Sequence, residues 1–590
     1  MLRTCSYVGA CVLALASVEA AAQGPPDARK ALDAGEPLRA VERFRAATAA
    51  TPSDIALQAS LAVAELDAGD ADAALETAQA AAKAAPNSPD AQRALALVRL
   101  GRQELALAHA VLDKALEAQP ADAGLLLAKG QLAWRERRTA TALDALTKAA
   151  RSSAWAAEAQ LWLGRIATFK GWQQEGAFPG WHDESEYRPD AIRAFEAAAG
   201  ARPDWYAPRV GLGEALLLGG RPAEALGAFD AALARGPRVA AALIGRWRAL
   251  EALGRVAEIE PEVAKAAAAS DAALLGAARE GYALLGKAAD ADAVDARIVE
   301  NHPRSEAAEA VLTRRLEAAA KAKQTASVVE QATAFVSAHP QSARLLGVYD
   351  QLLAAYQTTP GVPAERLVAA IDARTSLQPD PGAFFGGASL LLTHKVLFDK
   401  CTALAKAGEA ASETFITENA SAYKLDGKVQ ASRERGRATA ADLEGWAAFL
   451  GKDLATAARR LTDADRLSRS TDMANQFHLG ELLRAQGQLE AARSAYLNAL
   501  TLAAGPPLLK EAAKRALADV HVALGNQAAD VDAYLATEIG RRRESRRSAM
   551  VESMVGKPVP AFTATDLKGR PVDLLAERGN VVLLNFFASW

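Results

Sequence analysis

Cysteine thiols are the residues of this chain best suited to covalent chemistry, and the sequence contains three of them. Cys5 and Cys11 lie in an N-terminal stretch with the pattern of a secretory signal, so the mature chain keeps Cys401 alone. A lone cysteine excludes an intrachain disulfide. Cys401 falls in the helix-like run 390–407, which favours a small buried apolar residue over the alternative of a reactive thiol.

A second group of chemically capable side chains lies in a predicted insertion at 172–189, where aromatic and acidic residues are crowded together. His182, Asp183 and Glu184 are residue types that bind metals. No second His or Cys stands at ligand spacing from them, so we expect no metal site. Two interpretations stay open, a structured surface loop and a loop that contacts a partner.

Three linked motifs occupy the end of the sequence. Residues 556–562 read Gly-Lys-Pro-Val-Pro-Ala-Phe, and residues 566–572 read Asp-Leu-Lys-Gly-Arg-Pro-Val. They predict two short strands joined by a turn. Residues 579–590 read Gly-Asn-Val-Val-Leu-Leu-Asn-Phe-Phe-Ala-Ser-Trp, and their apolar run predicts a strand buried on both faces.

In order and spacing these motifs resemble the start of a TlpA/ResA-type thioredoxin domain, from the redoxin superfamily that also holds the AhpC-type peroxiredoxins. The resemblance implies an incomplete α/β thioredoxin-like domain at 552–590, with a redox Cys-x-x-Cys expected after Trp590. Phe587, Ala588, Ser589 and Trp590 would flank that motif. Within the 590 residues themselves the resemblance implies no catalytic residue, no cofactor and no metal. A thiol or disulfide protein would be the substrate of the complete protein.

Prolines recur at a fixed interval, since Pro52, Pro86 and Pro120 are each 34 residues apart. Small residues such as Gly213 and large ones such as Phe229 recur between such prolines. A helical period of 34 residues resembles the tetratricopeptide repeat family. The resemblance implies antiparallel helix pairs that must stack, because no pair buries its apolar face alone. The pattern places units at 21–54, 55–88, 89–122, 123–156, 157–205, 206–239 and 240–273, and again at 473–506.

The predicted fold class is mostly α, a tetratricopeptide-type α-solenoid of antiparallel helix pairs followed by the incomplete α/β domain. Gly101 comes two residues before the turn position of its neighbours, which predicts a different turn there. After residue 273 the period drifts, and Phe384–Gly387 follows a proline break as a candidate hinge or special packing point. We assign a signal peptide to 1–22, an N-terminal array to 23–273, degenerate helical repeats to 274–435, repeat-like helices to 436–550 and the truncated domain to 552–590.

Charge and the N-terminus restrict location and partners. With 68 basic and 71 acidic residues the net charge is −3, which gives no argument for nucleic acid binding. The run 541–547 ends a helix predicted at 528–545 and is expected to be solvated, or else to contact the following domain or an anionic surface. The apolar run 7–18 followed by Ala20–Ala22 predicts a cleaved signal, export and a periplasmic location. Cys11 lies inside that run, which argues against lipid anchoring, and we expect no other membrane span.

Three functions fit these features. The first is an exported repeat scaffold coupled to a thiol-disulfide oxidoreductase domain in the full-length protein, with no activity from residues 1–590 alone. The second is a non-enzymatic interaction scaffold, and the third is a peroxiredoxin-type redoxin. In the first two, protein or peptide partners would bind in the groove of the repeats.

Overall fold

The computed structural model describes residues 25–168, 188–420, 429–502, 505–527, 531–556, 563–565 and 571–573. The chain divides into two compact units, one up to Arg469 and one from Ser470 onward. Each unit is built from antiparallel α-helices that pack chiefly on their neighbours in sequence. The predicted signal peptide and most of the 172–189 insertion lie outside the described residues. The predicted domain boundaries stay predictions.

In its described part the first unit consists almost entirely of α-helices. They are α1 (Pro26–Asp33), α2 (Pro37–Ala50), α3 (Ile55–Asp67), α4 (Ala71–Ala84), α5 (Pro89–Gly101), α6 (Leu105–Ala118), α7 (Ala123–Arg135), α8 (Thr139–Ala149), α9 (Ala156–Thr168), α10 (Arg188–Ala201), α11 (Ala207–Leu218), α12 (Pro222–Leu233), α13 (Ala240–Ala252), α14 (Ile259–Ala267), α15 (Ala272–Leu284), α16 (Ala288–Asn301), α17 (Glu306–Lys321), α18 (Thr325–Ala338), α19 (Leu345–Thr358), α20 (Ala364–Leu377), α21 (Pro381–Thr393), α22 (Phe398–Asn419), α23 (Val429–Leu450) and α24 (Leu454–Ser468). A short 3₁₀-helix, Val256–Glu258, precedes α14.

The second unit has four described helices and two short strands. They are α25 (Met473–Ala485), α26 (Leu489–Thr501), α27 (Pro507–Ala523), α28 (Val531–Met554), β1 (Thr563–Thr565) and β2 (Pro571–Asp573). Tyr496 and Leu517 are fully buried in its core.

The turn between the two helices of a pair repeats with the period of the sequence. Gly35 and Gly69 have left-handed φ of 71° and 85°, and Gln103 and Arg137 take the same position with φ of 65° and 58°. The turn after Gly101 therefore does not differ in backbone from its neighbours, contrary to the sequence prediction. A non-glycine residue in this conformation costs about 1–2 kcal/mol, so the packing of the helix pairs imposes the turn.

Close helix packing follows the predicted division between small and large residues. Phe229 of α12 is fully buried. A Cβ on Gly213 would lie 2.7 Å from the Phe229 ring, and a Cβ on Gly245 would lie 2.2 Å from it. The ring thus occupies space that only glycines on α11 and α13 leave free.

Helix pairs continue through residues 274–420, where the sequence pattern is weak. Asp380 caps α21 by accepting a hydrogen bond from the Ala383 N–H at 2.9 Å. The Phe385 ring lies where a Cβ on Gly408 would be, 2.5 Å from its nearest atom. Phe384–Gly387 is therefore a special packing point inside a helix. The sequence pattern fails here because packing, rather than a fixed proline period, maintains the helix pairs.

The predicted fold class was wrong in its last part. Beyond α28 the described residues form only β1 and β2, which pair antiparallel with Thr563 opposite Asp573. Among the described residues neither strand has a further strand partner. A local hairpin needs only the turn signals at 566–569, whereas an α/β domain needs a central strand with partners and covering helices. The incomplete α/β thioredoxin-like domain at 552–590 is not seen.

Asp67 is the last residue of α3, and the burial of its carboxylate destabilises the folded state. Its Oδ1 is sealed from solvent without a hydrogen-bond donor among the described residues, although the residue as a whole keeps some exposure. Burial raises the pKa of this carboxyl well above its usual range, and a helix C-terminus further disfavours a negative charge.

We expect Asp67→Asn to stabilise the α3–α4 pair by about 1–2 kcal/mol at neutral pH, because it removes a buried charge. The folded-state pKa is raised, so the advantage is full above that pKa and vanishes below the unfolded value. Hydrogen exchange of the α3 and α4 amides, followed as a function of pH, measures the difference in stability between the variant and the wild type. Asp70→Asn is the matched control, since an asparagine side chain would keep the cap on the Ala73 N–H. An unchanged or lower stability in Asp67→Asn would contradict the expectation.

Candidate functional site

Cys401, the one thiol of the described residues, is placed where it cannot react. It lies in the first turn of α22 and is fully buried. Its Sγ donates to the Val396 carbonyl oxygen at 3.7 Å. Burial raises the pKa of the thiol to about 11, so it stays protonated at neutral pH. The predicted buried apolar role is confirmed.

The other chemical candidates lie elsewhere in the chain. Phe587, Ala588, Ser589 and Trp590 fall outside the described residues, as does the His182–Glu184 segment. Across the part of the chain that the structure describes, no cluster of three or more His, Cys, Asp or Glu side chains is placed to hold a metal ion. None of the described helices combines the length and apolar character needed to span a membrane. Clefts and surfaces remain as candidate sites.

A cleft of about 510 Å³ lies between α22 and α23. Each of these helices has 22 residues, longer than every other described helix of the first unit. A Cβ on Gly436 would lie 3.0 Å from the Ser412 Cβ, so the two helices approach closely at the floor. The volume falls in the range of ligand-binding clefts. The lining residues are Lys406, Glu409, Ala410, Ser412, Glu413, Ile416, Gln430, Arg433, Gly436 and Arg437.

Opposite charges face each other across this cleft. Arg433 holds Glu413 with its Nε at 2.9 Å and its Nη2 at 2.6 Å, and this hydrogen bonding lowers the pKa of Glu413. The Arg437 Nε lies 3.9 Å from the Glu409 carboxylate. Exposed pairs of this kind contribute less than about 1 kcal/mol each. A partner carrying both signs of charge can therefore exchange them for its own contacts at small cost.

A buried ion cluster joins α1 to the connection between α10 and α11. The Arg202 guanidinium pairs with Asp33 from α1 and with Glu158 from α9. It also stacks over the Trp205 ring, 4.9 Å from the ring centre. The Tyr206 N–H donates to the Asp33 carbonyl oxygen at 3.2 Å. Burial raises the pKa of Asp33, and Arg202 opposes that effect.

Helix α8 receives its N-terminal cap from a distant part of the chain. Arg138 stands at the cap position and makes no side-chain cap of its own. Instead Glu418, 277 residues away, accepts hydrogen bonds from the Thr141 N–H at 3.0 Å and the Thr141 hydroxyl at 2.9 Å. The Arg138 Nη2 lies 3.3 Å from the same carboxylate. A carboxylate at a helix N-terminus satisfies free N–H groups and complements the helix dipole.

Asn419 completes this contact, which we call the α8–α22 clasp and define by Arg137, Arg138, Thr139 and Thr141 with Glu418 and Asn419. Asn419 is 1% exposed. Its Oδ1 accepts from the Thr139 hydroxyl at 2.5 Å, and its Nδ2 donates to the Arg137 carbonyl oxygen at 2.9 Å. Arg137 is the left-handed residue of the α7–α8 turn. The clasp therefore contacts this turn as well as the first residues of α8.

Sequence reasoning missed Arg202, Glu418 and Asn419. Their partners lie 44 to 282 residues away or belong to another helix pair, so no local spacing marks them. The missing cap on α8 is not a signal either, because α2, α6 and α12 also begin without a capping side chain.

The arginine run 541–547 lies inside a helix and not at its end. The helix α28 continues to Met554, nine residues beyond the predicted end at 545, because no Gly or Pro interrupts residues 541–555. Arg542 bonds the Asn498 side chain at 2.5 Å, whereas Arg543 and Arg547 are exposed. The run is mostly solvated as predicted, but the helix dipole does not explain its position.

Comparisons with known proteins agree with this architecture. A family model of the tetratricopeptide repeat matches residues 26–89, 60–123, 92–154 and 186–240. Among solved structures, a crystal structure of the APC/C hetero-tetramer Cut9-Hcn1 is 14% identical, and the match covers 83% of this chain and 95% of that one. Its TM-score of 0.26 is too low to carry an argument.

No curated protein matches the chain. The comparisons give no support to a thioredoxin-like domain. They do support the repeats that the 34-residue period predicts. Residues 26–154 and 186–240 therefore carry tetratricopeptide repeats.

Proposed function

We propose that this chain is a non-enzymatic scaffold that binds protein partners. The observation that carries the proposal is the tetratricopeptide match over residues 26–154 and 186–240. Stacked helix pairs of this kind present extended surfaces to peptides and helices. The burial of Cys401 is consistent with a binding role, because the thiol is held in its unreactive form.

The α22–α23 cleft is the surface that we assign to a partner. It offers acidic side chains on α22 and basic side chains on α23, above the buried side chain of Ile416. A partner segment that carries groups of opposite charge would fit that arrangement. Arg433 and Glu413 would then exchange their mutual contact for contacts with the partner.

Site-specific photocrosslinking in the native host tests the proposal. A photoreactive residue in place of Gln430, at the rim of the cleft, is expected to give discrete adducts with the same protein in repeated preparations. The matched position is Lys83, which is exposed on α4 far from the cleft in sequence. Adducts that are identical from both positions, or absent from both, would remove the support for a partner in the cleft.

A charge reversal then tests whether the captured protein recognises the cleft. Arg433→Glu is expected to weaken binding of the purified partner about tenfold or more, since like charges would face each other at Glu413. Arg221→Glu is the matched control, because Arg221 is also exposed and also pairs with a glutamate on its own surface. Equal affinity of the two variants would contradict recognition through the cleft.

We also propose that the chain is exported. The support is the sequence of residues 1–22, a basic residue followed by an apolar run and small residues. N-terminal sequencing of the protein from the periplasmic fraction is expected to begin at or near Gln23. Recovery of the uncleaved protein from the cytoplasm alone would overturn this proposal.

A further inference from the structure

A line of charged side chains connects the surface of α6 with the α8–α22 clasp. The His109 Nε2 lies 2.7 Å from the Glu136 Oε2. The same Glu136 oxygen lies 3.9 Å from the Arg138 Nη1. Arg138 in turn points its Nε and Nη2 at Glu418, at 3.4 Å and 3.3 Å. Arg138 is thus placed between two carboxylates, one of which shares a hydrogen bond with a histidine.

The surroundings of His109 favour its charged form. The charged groups that act on the ring are Glu136 and Arg138 from the α7–α8 turn and Asp113 from its own helix. The hydrogen bond to Glu136 raises the pKa of His109, while partial burial and Arg138 oppose the rise. The Asp113 carboxylate is 3.9 Å from the Nδ1 and is 65% exposed, so solvent screens it.

We propose that protonation of His109 tightens the α8–α22 clasp, so that the contact between these distant helices depends on pH. When His109 is charged, it neutralises Glu136 and repels Arg138, and Arg138 stays with Glu418. When His109 is neutral, Glu136 is left as a full negative charge 3.9 Å from Arg138. It then competes with Glu418 for the guanidinium, and the cap on α8 loses part of its support.

The direction of the pH effect follows from linkage. The folded-state pKa of His109 is above the unfolded value, so protonated His109 contributes stability below that unfolded value. The contribution is lost as the pH rises through the folded-state pKa. The clasp is therefore tighter in mildly acidic than in mildly basic solution, across the range in which histidine titrates.

Hydrogen exchange of the full chain, read by mass spectrometry, tests the proposal. Protection of the first turn of α8 is compared at about pH 5.5 and about pH 8.5, on either side of the usual histidine pKa, after correction for intrinsic exchange rates. We expect about two- to fivefold less protection at the higher pH, the effect of a partly exposed ion pair. In His109→Gln and in Glu136→Gln the difference between the two pH values should disappear.

Two further variants keep the result interpretable. In Glu418→Gln protection should be low at both pH values, because the capping charge is absent. His394→Gln should keep the wild-type pH difference, since the His394 ring bonds only the neutral Tyr356 carbonyl at 2.8 Å. A loss of protection throughout α3–α8 in His109→Gln would mean that this substitution unfolds the surrounding helices. The pH difference in Glu136→Gln then tests the proposal. Equal wild-type protection at the two pH values, or a difference that persists in Glu136→Gln, overturns the proposal.

Discussion

Arg202→Met is expected to lower the stability of the N-terminal helix pairs by about 3–5 kcal/mol, the cost of breaking a buried ion cluster from one side. Arg202 is 6% exposed and pairs with both Asp33 and Glu158. Methionine fills similar volume but leaves those carboxylates without the cation that they share. Hydrogen exchange should report the loss first in α1, because Asp33 ends that helix.

The loss of stability in Arg202→Met should become smaller as the pH falls. The pKa of Asp33 is already raised by burial, and removing Arg202, which lowers it, raises it further. Protonation then removes the uncompensated charge from the folded state. Arg221→Met is the control, since Arg221 lies on the surface and pairs only with Glu224 among its described contacts. It should leave protection unchanged. If the two variants proved equally stable, the cluster would have no structural role.

Glu418→Ala is expected to destabilise the start of α8 by about 2–3 kcal/mol, although Glu418 and Thr141 are 277 residues apart in sequence. The substitution removes the acceptor for the Thr141 N–H and hydroxyl and the partner of Arg138. Exchange of the amides at 139–142 should rise correspondingly. Asn419→Ala should act in the same direction, because it frees the Thr139 hydroxyl and the Arg137 carbonyl.

Glu413→Ala supplies the comparison on the same helix. Glu413 pairs with Arg433 at an exposed site, so its removal should cost less than about 1 kcal/mol and leave α8 unaffected. Faster exchange of α8 in Glu413→Ala would show a general loosening of α22 in place of a specific cap. Unchanged exchange of α8 in Glu418→Ala would show that the clasp carries no stability.

The part of the fold that could be predicted from sequence is the packing between helices that are adjacent in the chain. Proline spacing placed the repeats, and the roles of Gly213 and Phe229 followed from the need of adjacent helices to approach closely. The helix pairs after residue 273 were harder to assign, because stacking preserves their geometry without a fixed period. The α/β fold predicted at the C-terminal end was wrong because local motifs predict a hairpin well but not the domain around it.

The α22–α23 cleft and the α8–α22 clasp both depend on contacts between helices that sequence spacing does not encode. Arg138 and Glu418 look like ordinary charged surface residues in the sequence, and only the fold places them 3.3 Å apart. Gln103 and Arg137 carry no glycine signal, yet they adopt left-handed turns because the packing of whole helices outweighs a local cost of about 1–2 kcal/mol. Long-range contacts of this kind require the structure.

The residue that caps α8 is synthesised long after α8 itself. Ribosomes add about 5–20 residues per second, so roughly 15–55 s pass between synthesis of Thr141 and synthesis of Glu418. During that interval α8 exists without its cap and with a turn held in a costly conformation. Until Glu418 is made, the start of α8 lacks the hydrogen bonds and the negative charge that this side chain supplies. A stalled or shortened chain that ends before Glu418 would leave the Thr141 N–H and hydroxyl without this acceptor.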